Sequence, residues 1–165
     1  MRCSIAVLTL LSVGACNQGT GGQAYQDEAA GFRVAIPDGW KRSQERNAIV
    51  FRPAVKGAVS LAVTPVAKQQ GAVRRGWEGM RDGLLTQYAA MPGHKLYSKG
   101  TATVAGRRAF KLVVSFRHQD RDVKRMQQVV ELTDHFLVMD CTRSSSGSPP
   151  DELCRRFFDS LEVLR

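Results

Sequence analysis

The chain has 165 residues, with 24 Lys and Arg against 15 Asp and Glu, and 43% of its side chains are hydrophobic. No stretch approaches the about 20 consecutive apolar residues that a helix needs to cross ~30 Å of hydrocarbon, which excludes a transmembrane helix. No fixed-period repeat is visible, which excludes a solenoid or propeller.

The first element is an export leader. Arg2 supplies the positive end, Ile5 to Leu11 the short apolar stretch, and Gly14-Ala15 the small residues before a cut, so residues 1–15 read as a signal peptide. Val13-Gly14-Ala15-Cys16 resembles the bacterial lipobox, which implies that the Cys16 thiol is acylated and becomes the mature N-terminus. Each buried methylene contributes about 0.8 kcal/mol, so two or three chains hold stably where one holds marginally. Residues 16–24, polar and glycine-rich after the cysteine, read as a flexible tether. The expected location is the cell envelope, anchored to the inner or outer membrane and facing the periplasm.

From Tyr25 onward about 140 residues remain, enough for one domain over 25–165. Phe32, Val34 and Ile36 alternate with polar or small residues as a first strand, and Pro37-Asp38-Gly39 supplies turn chemistry before Trp40. Ala48 to Phe51 and Ala58 to Val66 read as strands joined at Lys56-Gly57. Between Gly71 and Ala90 the period changes. Val73, Trp77, Met80, Leu84 and Tyr88 form one apolar helical stripe, which Met91-Pro92-Gly93 ends. Four more strands follow, Leu96 to Val104, Ala109 to Phe116, Met126 to Leu132 and Phe136 to Cys141, spaced as an antiparallel meander with the charged stretch Arg117 to Lys124 as a connection. Ser148-Pro149-Pro150-Asp151-Glu152 opens a last helix whose Leu153, Phe157 and Leu161 share a face. The fold class expected is α+β: an antiparallel sheet of about six or seven strands with the central and C-terminal helices packed on it.

Four cysteines are present, and only Cys141 and Cys154 fall in the mature domain. Two thiols in an oxidising compartment predict one disulfide, stapling the last helix to the sheet. The basic residues are spread in pairs, Arg74/Arg75, Arg107/Arg108, Lys124/Arg125 and Arg155/Arg156, which reads as a solvated surface able to contact anionic lipid. Export from the cytoplasm removes nucleic acid as a partner.

Together, Gly31 to Trp40, the central amphipathic helix, the Val104 to Ala109 hairpin, the meander and a terminal helix with Phe157, Ser160 and Leu161 resemble the PsbP-like, DcrB-like lipoproteins. The resemblance implies an α-β-α sandwich used as a docking or accessory module. The family's members include an extrinsic photosystem subunit and a nuclear-import factor that binds a small GTPase. It carries over no binding residue.

Catalytic signatures are weak. Ser144 to Ser148 lacks the G-x-S-x-G form of a hydrolase elbow and reads as a loop. His118, Asp120 and Asp122 share one side of an extended arm and are the one arrangement suited to a divalent ion, although Arg117, Arg121, Lys124 and Arg125 crowd it. His94 and His135 read as turn residues, and Trp40 and Trp77 as core aromatics. No phosphate-cradling loop is present, and no cofactor is called for. The leading expectation is therefore a non-enzymatic, membrane-anchored docking or accessory module for an envelope protein. The alternative is a small-ligand or metal-binding domain, sensory or enzymatic, with its cleft between the sheet and the central helix.

Overall fold

The computed structural model describes residues 22–54, 59–69, 76–144 and 151–164. The expected leader, Cys16, Val73, the Lys56-Gly57 turn and residues 145–150 of the serine loop lie outside them.

Alternation sets the first elements. Phe32, Val34 and Ile36 are buried and Arg33 and Ala35 exposed along β2 (Phe32–Pro37). Strand β2 pairs antiparallel with β1 (Gly22–Asp27) on one side and with β10 (Glu162–Val163) on the other, and the three form a small sheet of their own. Strand β1 begins inside the segment expected to be tether. Its glycine and glutamines carry little intrinsic strand signal, but the six-residue register from Gly22 opposite Pro37 to Asp27 opposite Phe32 gives its backbone partners, and Tyr25 packs on Phe51 with ring centroids 5.3 Å apart.

The main sheet has seven antiparallel strands in the order β3-β4-β5-β9-β8-β7-β6. These are β3 (Trp40–Glu45), β4 (Ala48–Pro53), β5 (Val59–Ala67), β6 (Lys95–Val104), β7 (Arg107–His118), β8 (Arg121–Glu131) and β9 (His135–Ser144). Two hairpins turn on two residues with positive φ, Ala105-Gly106 (48° and 71°) and Gln119-Asp120 (48° and 59°), the geometry that matches the strands' twist. The second hairpin corrects the sequence reading of Arg117 to Lys124 as a connection. Charge on an exposed ribbon does not interrupt its backbone ladder, and the pairing continues to His118 opposite Arg121.

Helix α1 (Gly76–Ala89) covers one face of the sheet, and its Trp77, Met80, Leu84 and Tyr88 meet Phe110, Leu112, Val114, Phe116, Val129, Phe136 and Val138. On the opposite face lie α2 (Asp151–Asp159) and the small sheet. There Phe157, Phe158 and Leu161, with Phe32, Val34 and Ile36, enclose Leu61, Val63, Leu137, Met139 and Cys141. Each fully buried Leu, Val or Phe contributes roughly 1.5–3 kcal/mol, which makes these two interfaces the main stabilising term. The architecture is an α-β-α sandwich in which a three-stranded sheet shares the α2 layer. Among the described residues no helix is long and apolar enough to cross a membrane.

Candidate functional site

The face of the main sheet under α1 is not filled along its whole width. Beside the helix a groove of about 390 Å³ is lined by Gly79, Met80, Gly83, Leu84, Gln87 and Tyr88 from α1. Thr64 and Val66 of β5, Arg125 and Gln127 of β8, and Val138 and Asp140 of β9 form its floor. Gly79 and Gly83, one turn apart, lie on the flank of the helix that borders this groove and add no side chain to it. An interior helical glycine costs about 1 kcal/mol relative to alanine, so the helix gives up stability at both positions.

The floor is polar. Neighbouring strands put Gln127 opposite Asp140 and Arg125 opposite Thr142, all on the α1 side. Gln127 Nε2 donates to Asp140 Oδ1 at 2.8 Å, while its Oε1 is buried with no hydrogen-bond partner among the described residues. Arg125 donates from Nε to Thr142 Oγ1 at 3.0 Å and from Nη1 to the Tyr88 hydroxyl at 3.2 Å, and its Nε lies 3.9 Å from Asp140 Oδ1. The guanidinium also stands 5.3 Å from the centre of the Phe116 ring.

Burial pushes the Asp140 carboxyl above the usual carboxylate range, against the opposing pull of Arg125 and of the Gln127 hydrogen bond. Burial also raises the Tyr88 phenol, with Arg125 opposing it. For Arg125, burial works against its charge, yet Asp140 and Tyr88 outweigh that and hold it above its ordinary value. The result is a compensated pair of opposite charges at the bottom of a groove with apolar walls.

A second surface lies at the far edge of the sheet. Among the described residues strand β6 has a neighbour on one side only, and Lys95 to Gly100 are all exposed. A bulge between Leu96 and Ser98 sets Tyr97 out of register with β7. Leu96 is 40% and Tyr97 60% exposed, both large apolar side chains. Ser115 Oγ donates to the Tyr97 hydroxyl at 3.3 Å, and Lys124 Nζ stands 5.6 Å from the centre of its ring, so the ring is held in place.

The sequence-predicted residues are placed as follows. Cys141, at the end of β9's buried run, is disulfide-bonded to Cys154 in the first turn of α2, with Cα atoms 5.6 Å apart and both residues buried. Arg143 Nη2 lies 2.6 Å from Asp151 Oδ1, a second tie between the same two elements. His118, Asp120 and Asp122 do not converge. The turn at Gln119-Asp120 pairs His118 with Arg121 and Asp122 with Arg117, so His118 and Asp122 fall on opposite faces of the ribbon, and Asp122 lies 3.6 Å from the Arg117 guanidinium. Among the described residues no three His, Cys, Asp or Glu side chains are arranged to hold a metal ion.

His94 is a turn residue whose backbone N–H donates to Met91 O at 3.2 Å. His135 sits between Asp134 Oδ1 at 2.5 Å and the Ala30 carbonyl at 3.1 Å, tying the start of β9 to the small sheet. Trp77 is buried against Phe136 with Arg108 over its ring, and Trp40 is half-buried against the core. Sequence reasoning does not single out Gln127 or Asp140. The signal is present all the same, because Asp140 is a lone acid inside Val138-Met139-Asp140-Cys141, and a polar residue inside an apolar strand needs a partner.

Comparison with known proteins places the fold. A family model described as a serine/threonine kinase C-terminal domain matches residues 24–78, well under half of the chain. No curated protein matches the chain in sequence. Among solved structures, the PsbP protein of the cyanobacterium Synechocystis sp. PCC 6803 (CyanoP) is similar at 17% identity and a TM-score of 0.57, over 92% of this chain and 98% of that one. The Ran-binding protein Mog1p of Saccharomyces cerevisiae is similar at 11% identity and a TM-score of 0.60, over 87% and 96%. LpqN of Mycobacterium tuberculosis, described as involved in cell envelope biogenesis, is similar at 12% identity and a TM-score of 0.51, over 90% and 88%. The chain has the PsbP-like fold, an α+β sandwich, and at these identities the likeness is one of fold.

Proposed function

We propose that the chain is a non-enzymatic accessory module of the bacterial cell envelope, held to a membrane by acyl chains on Cys16 and docking an envelope protein along the β6 edge. The observation that carries this reading is the exposure of Leu96 and Tyr97 on an edge strand flanked by exposed Lys95, Lys99, Arg107, Arg108 and Lys111. An edge strand offers unpaired backbone N–H and C=O groups, and a partner that adds a strand there gains main-chain hydrogen bonds. Lysines on the edge repel a second copy of the same chain and favour an acidic extended segment, while Leu96 and Tyr97 give that segment apolar contacts.

Two likenesses and one bond support the reading. Mog1p is named for binding another protein, LpqN for a role in envelope biogenesis, and the Cys141–Cys154 disulfide suits an oxidising compartment. The anchor explains how a module of this size stays near its partner, and its basic surface adds contact with anionic lipid headgroups over about 8 Å. Membranes from the native host, cross-linked and solubilised, test both parts. Wild-type protein retains an acidic envelope partner, Leu96→Ser with Tyr97→Ser loses it at unchanged melting temperature, and Cys16→Ser moves the protein into the aqueous phase. Equal partner recovery from wild type and the double variant would overturn the docking surface, and membrane retention of Cys16→Ser would overturn the anchor.

A further inference from the structure

We propose that a second groove, at the tether end of the main sheet between Arg52 on β4 and the His118–Arg121 turn of the β7–β8 hairpin, seats the phosphate of an anionic phospholipid headgroup, so that the domain stands on its membrane with this end down. The argument from position rests on the acyl anchor at Cys16. Gly22, the first residue of β1, lies opposite Pro37, and Pro37 leads through Asp38-Gly39 into Trp40, which lies opposite Pro53 at the end of β4. The same end of the main sheet carries the start of β5, the last residues of β9 and the β7–β8 turn. Six residues lead from Cys16 to Gly22, and fully extended they span at most about 20 Å, so an anchored domain cannot lift this end far from the headgroups.

The groove has a volume of about 370 Å³, within the range of small-molecule sites, and no carboxylate is among its lining residues. Beyond Val123 opposite Ser144 the hairpin runs two pairs further, to His118 opposite Arg121, and this overhang forms one wall. His118 and Arg121 are exposed and stand in step with Phe116 and Val123, on the α1 side of the ribbon. Asp120 and Asp122 do not line the groove, and Asp122 lies 3.6 Å from Arg117 on the opposite face. Arg52 forms the other wall. It donates to Glu45, but that pair is exposed and contributes little, and the guanidinium keeps further donors in the fork geometry that suits a phosphate. Arg143, which also borders the groove, is committed to Asp151. Ser60 and Thr142 lie side by side on the floor, and because the Thr142 oxygen accepts from Arg125 Nε, its own hydrogen can go to a phosphate oxygen. The cation of a zwitterionic headgroup would meet the same arginines, which is why the lipid is anionic.

The test uses the full chain carrying Cys16→Ser, which cannot be acylated there, and vesicles of phosphatidylcholine alone or with about one third phosphatidylglycerol. At low salt the anionic vesicles should bind at least about tenfold tighter, and high salt should remove the difference. Arg52→Gln with Arg121→Gln should weaken binding to the anionic vesicles by about thirtyfold, the effect of two basic residues at an anionic surface. Arg46→Gln with Arg107→Gln, the same change of charge at the opposite end of the sheet, should change it by less than about threefold. Arg121→Glu alone, on an exposed turn, should match the Arg52 and Arg121 pair and keeps the test valid if that pair fails to fold. Glycerol 3-phosphate, at the concentration of the exposed phosphatidylglycerol, should leave the protein on the vesicles. Equal binding to both kinds of vesicle, equal losses from the two pairs of variants, or displacement by glycerol 3-phosphate would each overturn the proposal. Acyl mass on the wild-type protein is read separately. Its presence without the anionic preference overturns the groove and leaves the anchor, and its absence overturns the anchor and with it the orientation.

Discussion

Gln127 and Asp140 face each other on adjacent strands and share a 2.8 Å hydrogen bond beneath α1, beside the apolar core of that layer. Because burial raises the Asp140 carboxyl, the folded state holds that proton more tightly than the unfolded state. The stabilising contribution is fully present below the unfolded pKa and is lost as pH rises through the folded one. Asp140→Asn removes this titration. Wild-type stability measured against that variant should therefore fall as pH rises across and above the carboxylate range. Urea titrations of both proteins at a series of pH values measure it, and a difference that does not change with pH would contradict the assignment.

Arg125 is the counter-charge in the same cluster. Replacing it by methionine leaves Asp140 without its cation, and we expect a loss of about 1–3 kcal/mol, between that of an exposed pair and that of a fully buried one. Arg125→Met combined with Asp140→Leu should recover much of that loss. A double-mutant cycle by chemical denaturation reads the coupling directly, and additive losses would mean that the two side chains do not act as a pair.

The Cys141–Cys154 bond closes a short loop between β9 and α2, with a sequence separation of 13. Cys141→Ser with Cys154→Ser should cost about 3 kcal/mol in the chain-entropy view, and reductant should bring wild type close to the variant. Intact mass after alkylation without reductant gives the chemistry: no label on either residue is expected, and two labels on the protein isolated from its native host would refute the bond.

Much of this fold is legible in the sequence because its buried faces keep a strict period. Phe32, Val34 and Ile36 at every second position, and Trp77, Met80, Leu84 and Tyr88 at three- and four-residue steps, give β2 and α1 nearly as found. The strands that escape reading are those whose side chains face water. Trp40-Lys41-Arg42-Ser43-Gln44-Glu45 forms β3 at a sheet edge, where backbone pairing with Ala48 to Pro53 suffices and no apolar alternation is needed. Strand β10 is two residues long and exists through its pairing with Phe32 and Arg33. The groove is hidden for a different reason. Arg125, Gln127 and Asp140 look like scattered polar residues until the β8–β9 register sets them side by side, and the glycines that open the space above them read only as weak points in a helix.

Docking at the β6 edge is tested most directly by photo-cross-linking in intact cells of the native host, with a photoreactive residue at position 97 and a control at Glu78, which is exposed on α1. A discrete membrane-associated adduct at position 97, absent at position 78 and lost when Leu96→Ser is added, is the result expected. No adduct at position 97, or the same adducts from both positions, would contradict docking at this edge.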